Sequence, residues 1–142
     1  MYQAALLHDV GKISIPDAVL NKPSRLTDDE YELMKSHAQR GAEVLGNIEI
    51  EKGLAEGAGA HHERYDGKGY PKGLKGEEIP EVARIIAVAD TFDAMYSTRP
   101  YRKKMELSTV VEEIKKGSGT QFSPDGVDAF IKLYQKGAFD NE

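Results

Sequence analysis

The 142-residue chain contains no cysteine. That excludes a disulfide framework and any thiolate metal site. A metal would have to be held by histidine, aspartate and glutamate, a donor set that suits iron, manganese, nickel or zinc. Positive charge is in deficit: 19 Lys and Arg stand against 24 Asp and Glu, a net charge of −5. This argues against a non-specific nucleic-acid binder. No apolar run reaches the length of a membrane span, and no signal peptide is visible. Internal repeats, low-complexity segments and the alternating pattern of half-buried strands are missing too. The expectation is a soluble, cytoplasmic, single-domain protein with enough chain to bury a core.

What is present centres on one stretch, His61-His62-Glu63-Arg64-Tyr65-Asp66-Gly67-Lys68-Gly69-Tyr70-Pro71. Each imidazole can offer a neutral nitrogen to a metal. Gly67, Gly69 and Pro71 forbid a continuing helix, so the pair is placed at a helix end beside an aromatic loop able to hold a ligand. Alone, the pair would equally suit a solvated helix terminus. Its company elsewhere in the chain favours the metal.

Met1 to Leu7 is apolar and helix-prone with no capping residue in front. It reads as the last turns of a helix, so the domain core is expected to be N-terminally incomplete. The helix is predicted to stop at about Val10 and Gly11, just past His8 and Asp9, with Lys12 close by. Thr27 to Glu30 is a capping box that opens a helix to about Leu45. Its apolar positions Tyr31, Met34, Ala38, Ala42 and Leu45 follow the helical period, and His37 lies beside them. Another helix is predicted over Ile48 to His62, weakened by Gly53, Gly57 and Gly59. Glu77-Glu78-Ile79-Pro80 is expected to open the next, with Pro80 in its first turn. Val82 to Met95 is apolar on nearly all sides, which makes that helix central. Asp90 within it is costly unless paired or bound to a metal; Asp93 is taken as structural support. Ser97 to Lys104 is a basic loop. Ser108 is expected to cap a helix to about Lys116. Ser123 and Pro124 start the last helix, which packs Val127, Phe130, Ile131 and Tyr134. The fold class predicted is all-α.

His8, Asp9, His37, His61, His62 and Asp90 are six residues of metal-ligand type, enough for two or more divalent ions with Asp9 bridging. Such ions draw a nucleophile from water and screen a phosphoryl transition state. Lys12 could steady a phosphate oxygen or the leaving group. The chemistry suggested is phosphoester hydrolysis.

The pairs His8-Asp9 and His61-His62, then Gly69-Tyr70-Pro71 and Asp90-Thr91-Phe92-Asp93-Ala94-Met95, resemble the HD-GYP family, a branch of the HD phosphohydrolases, over essentially the whole chain. The resemblance implies a helical bundle, with residues 1–142 as one HD-GYP domain. It implies a bacterial metal-dependent phosphodiesterase that hydrolyses cyclic di-GMP to linear pGpG or GMP, using two or three iron or manganese ions. It further implies that Asp9 bridges the metals, that His8, His37, His61, His62 and Asp90 are further ligands, and that Asp9 and Lys12 serve catalysis. Tyr70, Arg99 and Arg102 would hold the nucleotide, the tyrosine by stacking on guanine and the arginines by clamping phosphates. Ser123 stands where the family usually has aspartate, and both residues cap helices. The family normally has a helix upstream of His8 that supplies another histidine, and the sequence has no residues there. A weakened hydrolase is therefore expected, or a catalytically impaired signalling module that binds nucleotide or protein. A homodimer covering an exposed apolar face, and a sensory or receiver domain in a longer parent protein, complete the expected partners. DNA and membrane are not among them.

Overall fold

A computed structural model describes residues 1–48, 52–98 and 103–139. Among these residues there are seven α-helices and no strand: α1 (Tyr2–Leu7), α2 (Asp17–Leu20), α3 (Asp28–Gly46), α4 (Lys52–Ala60), α5 (Glu81–Tyr96), α6 (Leu107–Lys116) and α7 (Pro124–Gln135). Two 3-10 turns, Val10–Ser14 and Gly76–Glu78, precede α2 and α5. The all-α expectation is borne out.

Local chemistry explains two of the helix starts. The Thr27 hydroxyl accepts from Glu30 N at 3.2 Å, and the Glu30 carboxylate accepts from Thr27 N at 2.8 Å, so the capping box of α3 is closed on both sides. At α7, the Ser123 hydroxyl accepts from Gly126 N at 3.1 Å, and Pro124 occupies the first turn.

Other boundaries differ from expectation. α1 ends at Leu7, before His8, because Asp9 leaves helical geometry and the chain tightens into i to i+3 bonds from Lys12 N to Asp9 O and from Ile15 N to Lys12 O. Pro80 lies outside α5, as the extended residue before Glu81, because the preceding Ile79 is buried and drawn inward. Ser108 does not cap α6 but lies inside it. The chain turns into helix at Glu106, just after Met105 N has bonded Met95 O at 2.9 Å. α5 is central in linking α4 to α6 and α7, yet it is not enclosed: Ala83, Ile86 and Val88 are buried while Ala89 and Asp93 are exposed. The start of the predicted Ile48–His62 helix, together with Arg99 and Arg102, lies outside the described residues.

The core has two main parts, and α5 spans both. Ala4, Leu45, Leu54, Ala58 and Ile86 join α1, α3, α4 and α5. Val88, Val110, Val111, Ile114, Phe122, Val127 and Phe130 join α5, α6 and α7. Each fully buried aliphatic or phenyl side chain contributes about 1.5–3 kcal/mol. α1 buries only Ala4 and leaves Tyr2 and Leu6 exposed. No helix among the described residues is long and apolar enough to cross a membrane.

One approach is closer than the rest. A Cβ on Gly11 would lie 1.9 Å from His37 O and 2.6 Å from Gly41 N, so the 3-10 turn touches α3 backbone to backbone. A Cβ on Gly41 in turn would lie 3.4 Å from Ala58 Cβ of α4. Gly11→Ala should cost about 1–3 kcal/mol or more through overpacking. Urea unfolding would measure this against Gly46→Ala, where a Cβ meets nothing within 4 Å.

Candidate metal centre

The crossing of the 3-10 turn, α3 and α4 sets four of the six predicted ligand-type residues around one point. Asp9 opens the turn, His37 lies within α3, and His61 and His62 follow α4 directly. His8 arrives from the end of α1 and Asp90 from the middle of α5.

Three imidazoles are held alike. Nδ1 of His8, His37 and His61 lies 2.6, 2.6 and 2.9 Å from the carbonyls of Ala5, Met34 and Ala58, each three residues back. A carbonyl only accepts, so Nδ1 carries the proton and Nε2 presents its lone pair. These lone pairs converge on carboxylate oxygens. His37 Nε2 and His61 Nε2 are 3.3 and 3.5 Å from Asp9 Oδ1 and 3.4 Å from each other. His8 Nε2 is 3.5 Å from Asp9 Oδ2 and 3.4 Å from Asp90 Oδ1. His8 Nε2 and Asp9 Oδ1 are buried without a hydrogen bond. Acceptors facing acceptors, with two of them orphaned, form an arrangement that a cation satisfies.

The donors fall into two groups. One ligand atom each from Asp9, His37, His61 and His62 lie within 4.8 Å of one another, and so do those from His8, Asp9 and Asp90. Asp9 belongs to both. The first group is rich in imidazole and the second in carboxylate, and each could hold a divalent ion.

Charge is balanced tightly here. Burial would raise the Asp9 carboxyl, but the Lys12 ammonium beside it holds it well below the usual range. Lys12 Nζ donates to Asp9 Oδ2 at 2.6 Å. Asp90 raises His8 above its ordinary value against the effect of burial, and His8 lowers Asp90. His62 is pushed down to about 3, by burial first and then by His61 and His37. Asp9 and Asp90 are each 33% exposed. The predicted burial of Asp90 is therefore only partial, because α5 has an open side.

A cavity of about 350 Å³ opens beside the cluster, walled by His61, His62, Tyr70, Asp90, Arg64 and Tyr31. Tyr70 is thus at the site, its ring stacked on His62 with centroids 4.9 Å apart. Burial, with Tyr31 nearby, raises its phenol above the ordinary value.

Several residues here escaped the sequence argument. Glu63 is 4% exposed, and its carboxylate accepts from Lys72 N at 2.6 Å and from Leu74 N at 3.0 Å. It anchors the glycine-punctuated loop. The available signal was that a loop folded back on itself needs an acceptor for its amides, and Glu63 is the acid adjoining it. The Arg64 guanidinium donates to both Asp66 oxygens, at 3.1 and 2.8 Å, and holds that carboxyl down at about 2. Asp66 N donates to Thr120 O at 2.8 Å and pins the loop to the connector before α7. The helical period places Tyr31 in an apolar stripe, yet it is 49% exposed at the cavity wall. The Lys35 ammonium sits 5.1 Å from its ring centroid and 5.6 Å from that of Tyr70.

The sequence pattern of the HD domain matches residues 1–126. The chain belongs to the HD domain family. The HD-GYP motifs in its sequence fit that placement. This HD domain is 52% identical over 132 residues to a cyclic di-GMP phosphodiesterase of Thermotoga maritima, covering 92% of this chain and 36% of that protein. It is 49% identical over 132 residues to the cyclic di-GMP phosphodiesterase response regulator RpfG of Xanthomonas campestris pv. campestris, covering 91% of this chain and 35% of that protein. The chain spans about a third of the length of these relatives. Among solved structures it resembles a cyclic GMP-AMP specific phosphodiesterase of Vibrio cholerae, with a TM-score of 0.71 and 24% identity over 94% of this chain and 37% of that one. That likeness shows the fold.

Two outcomes test this geometry. Glu63→Gln places an amide donor against one of the two loop amides and should destabilise the protein by about 1–3 kcal/mol, measured by urea unfolding. His62 has a folded value of about 3 against about 6.5 when unfolded. The unfolded chain therefore takes up the proton first, and stability falls as pH drops from about 6.5 toward 3. Urea midpoints of the metal-free protein should decline over that window more steeply than those of His62→Gln.

Proposed function

We propose that this HD domain is the hydrolytic unit of a metal-dependent phosphodiesterase acting on cyclic di-GMP, with linear pGpG or GMP as product. The observation that carries the proposal is the convergence of imidazole lone pairs on two carboxylates, Asp9 and Asp90, with Asp9 in both donor groups. The printed activities of the Thermotoga and Xanthomonas relatives support the substrate class.

In this proposal His37, His61, His62 and Asp9 hold one divalent ion, and His8, Asp90 and Asp9 hold a second. Iron or manganese is the assignment, with room in the family pattern for a third ion. Bound there, the ions supply a nucleophile from water at neutral pH and neutralise charge on the phosphoryl group. The chain's own residues do the rest. Asp9 is kept ionised by Lys12, so it enters the site as a carboxylate. Lys12, 38% exposed, keeps donors in hand for a phosphate oxygen or the leaving group. Tyr70 and Tyr31 give the cavity flat apolar walls suited to a base. Arg99 and Arg102 are assigned to the phosphates from the sequence motif alone. Residues 1–142 are assigned as one HD-GYP domain, working in the cytoplasm as part of a larger signalling protein.

Metal analysis and a cyclic di-GMP hydrolysis assay test the proposal together. The wild-type chain loaded with manganese or iron should bind at least one ion and hydrolyse the dinucleotide, and chelation should abolish turnover. Asp9→Ala should lose metal from both groups and all hydrolysis. Asp90→Asn should lower metal content with the fold intact by circular dichroism. Wild-type metal content in Asp9→Ala would sink the assignment.

A further inference from the structure

His62 is the exception among the four histidines. The other three rest Nδ1 on a carbonyl three residues back. His62 sits two residues beyond the end of α4, past the last helical turn, and neither of its ring nitrogens makes a hydrogen bond among the described residues. Rings hold it instead. The Tyr70 ring is stacked on it at 4.9 Å and 21°, His61 is tilted against it at 4.1 Å, and His37 meets it edge-on at 5.0 Å. Two of these neighbours belong to its own donor group. Tyr70 does not.

Three separate features press Tyr70 onto His62. Tyr70 N donates to His62 O at 3.2 Å. Gly69 lies against the backbone that follows the histidine: a Cβ there would be 2.4 Å from both His62 O and Arg64 N. Only glycine lets the loop fold back this closely. Beyond Tyr70, the buried Glu63 carboxylate holds Lys72 N and Leu74 N. The loop is thus clamped before, at and after the tyrosine.

We infer that Tyr70 is a positioning residue for His62, its ring taking the place of the backbone hydrogen bond that orients the other three imidazoles. Stacking fixes the plane of the His62 ring and leaves both nitrogens free of protein acceptors, so one can face Asp9. It also occupies one face of Tyr70, leaving a base only the remaining face. The phenolic oxygen has no part in this, because an aromatic face suffices. The inference rests on the metal assignment of the cluster.

The test is Mn²⁺ binding to the chelator-stripped chain without substrate, followed by the electron paramagnetic resonance signal of the free ion. Loss of a group that orients a ligand typically costs ten- to a hundredfold in metal affinity, so Tyr70→Leu should weaken one Mn²⁺ about tenfold while Tyr70→Phe stays within about twofold of wild type. In a His62→Gln background, Tyr70→Leu should change nothing further. Should Tyr70→Leu fail to fold by circular dichroism, Tyr70→Met supplies a second ringless side chain for the same comparison. Wild-type affinity in the ringless variant overturns the inference. So does equal damage from Tyr70→Phe, or an undiminished effect once His62 is gone. A wild-type chain that takes up no Mn²⁺ overturns the metal assignment itself and this inference with it, which separates the two failures.

Discussion

The arrangement depends on how closely the turn after α1 can approach α3. At Gly11 the two backbones touch, with no room for even a methyl group beside the His37 carbonyl. Gly41 and Ala58 repeat the theme where α3 meets α4, and Ala38 and Ala58 are fully buried there. Small residues let three elements cross within one short span. Aspartate has a short side chain, and only such a crossing lets Asp9 face His37 on one element and His61 on another. A bulkier seam would still bury apolar surface, but the carboxylate would stop short of the imidazoles.

That seam has an electrostatic cost. The convergent atoms are nearly all acceptors, and a buried polar group without a partner costs about 1–3 kcal/mol. Lys12 relieves part of it. Partial exposure of Asp9 and Asp90 relieves more, since a carboxylate that keeps some hydration loses less on folding. The rest is carried by ordinary packing on either side, where α5 ties together the two parts of the core. The open side of α5, unforeseen from its apolar sequence, is also what lets the cavity reach Asp90.

Features decided within a few residues were legible in the sequence. Thr27 with Glu30 and Ser123 with Pro124 behave as their local chemistry requires, because a cap needs nothing beyond the next turn. The six ligand-type residues could be singled out by type and motif, and the structure brings them together. Boundaries set by distant partners were not legible. α1 stops early because Asp9 leaves helical geometry and the chain tightens into the 3-10 turn that packs on α3, and α5 starts late because Ile79 is pulled into the core. Glu63 looked like one charge among several, since its worth lies in two amides nine and eleven residues away. The motif points Tyr70 at the nucleotide, while its contact with His62 depends on the loop folding back, which no local pattern encodes.

The carbonyl clamps on His8, His37 and His61 have a consequence for ion choice. Each ring takes its aim from a carbonyl of its own helical turn, so an ion meets donors whose directions the backbone has already set. The choice among similar divalent ions then falls to ligand chemistry and to supply.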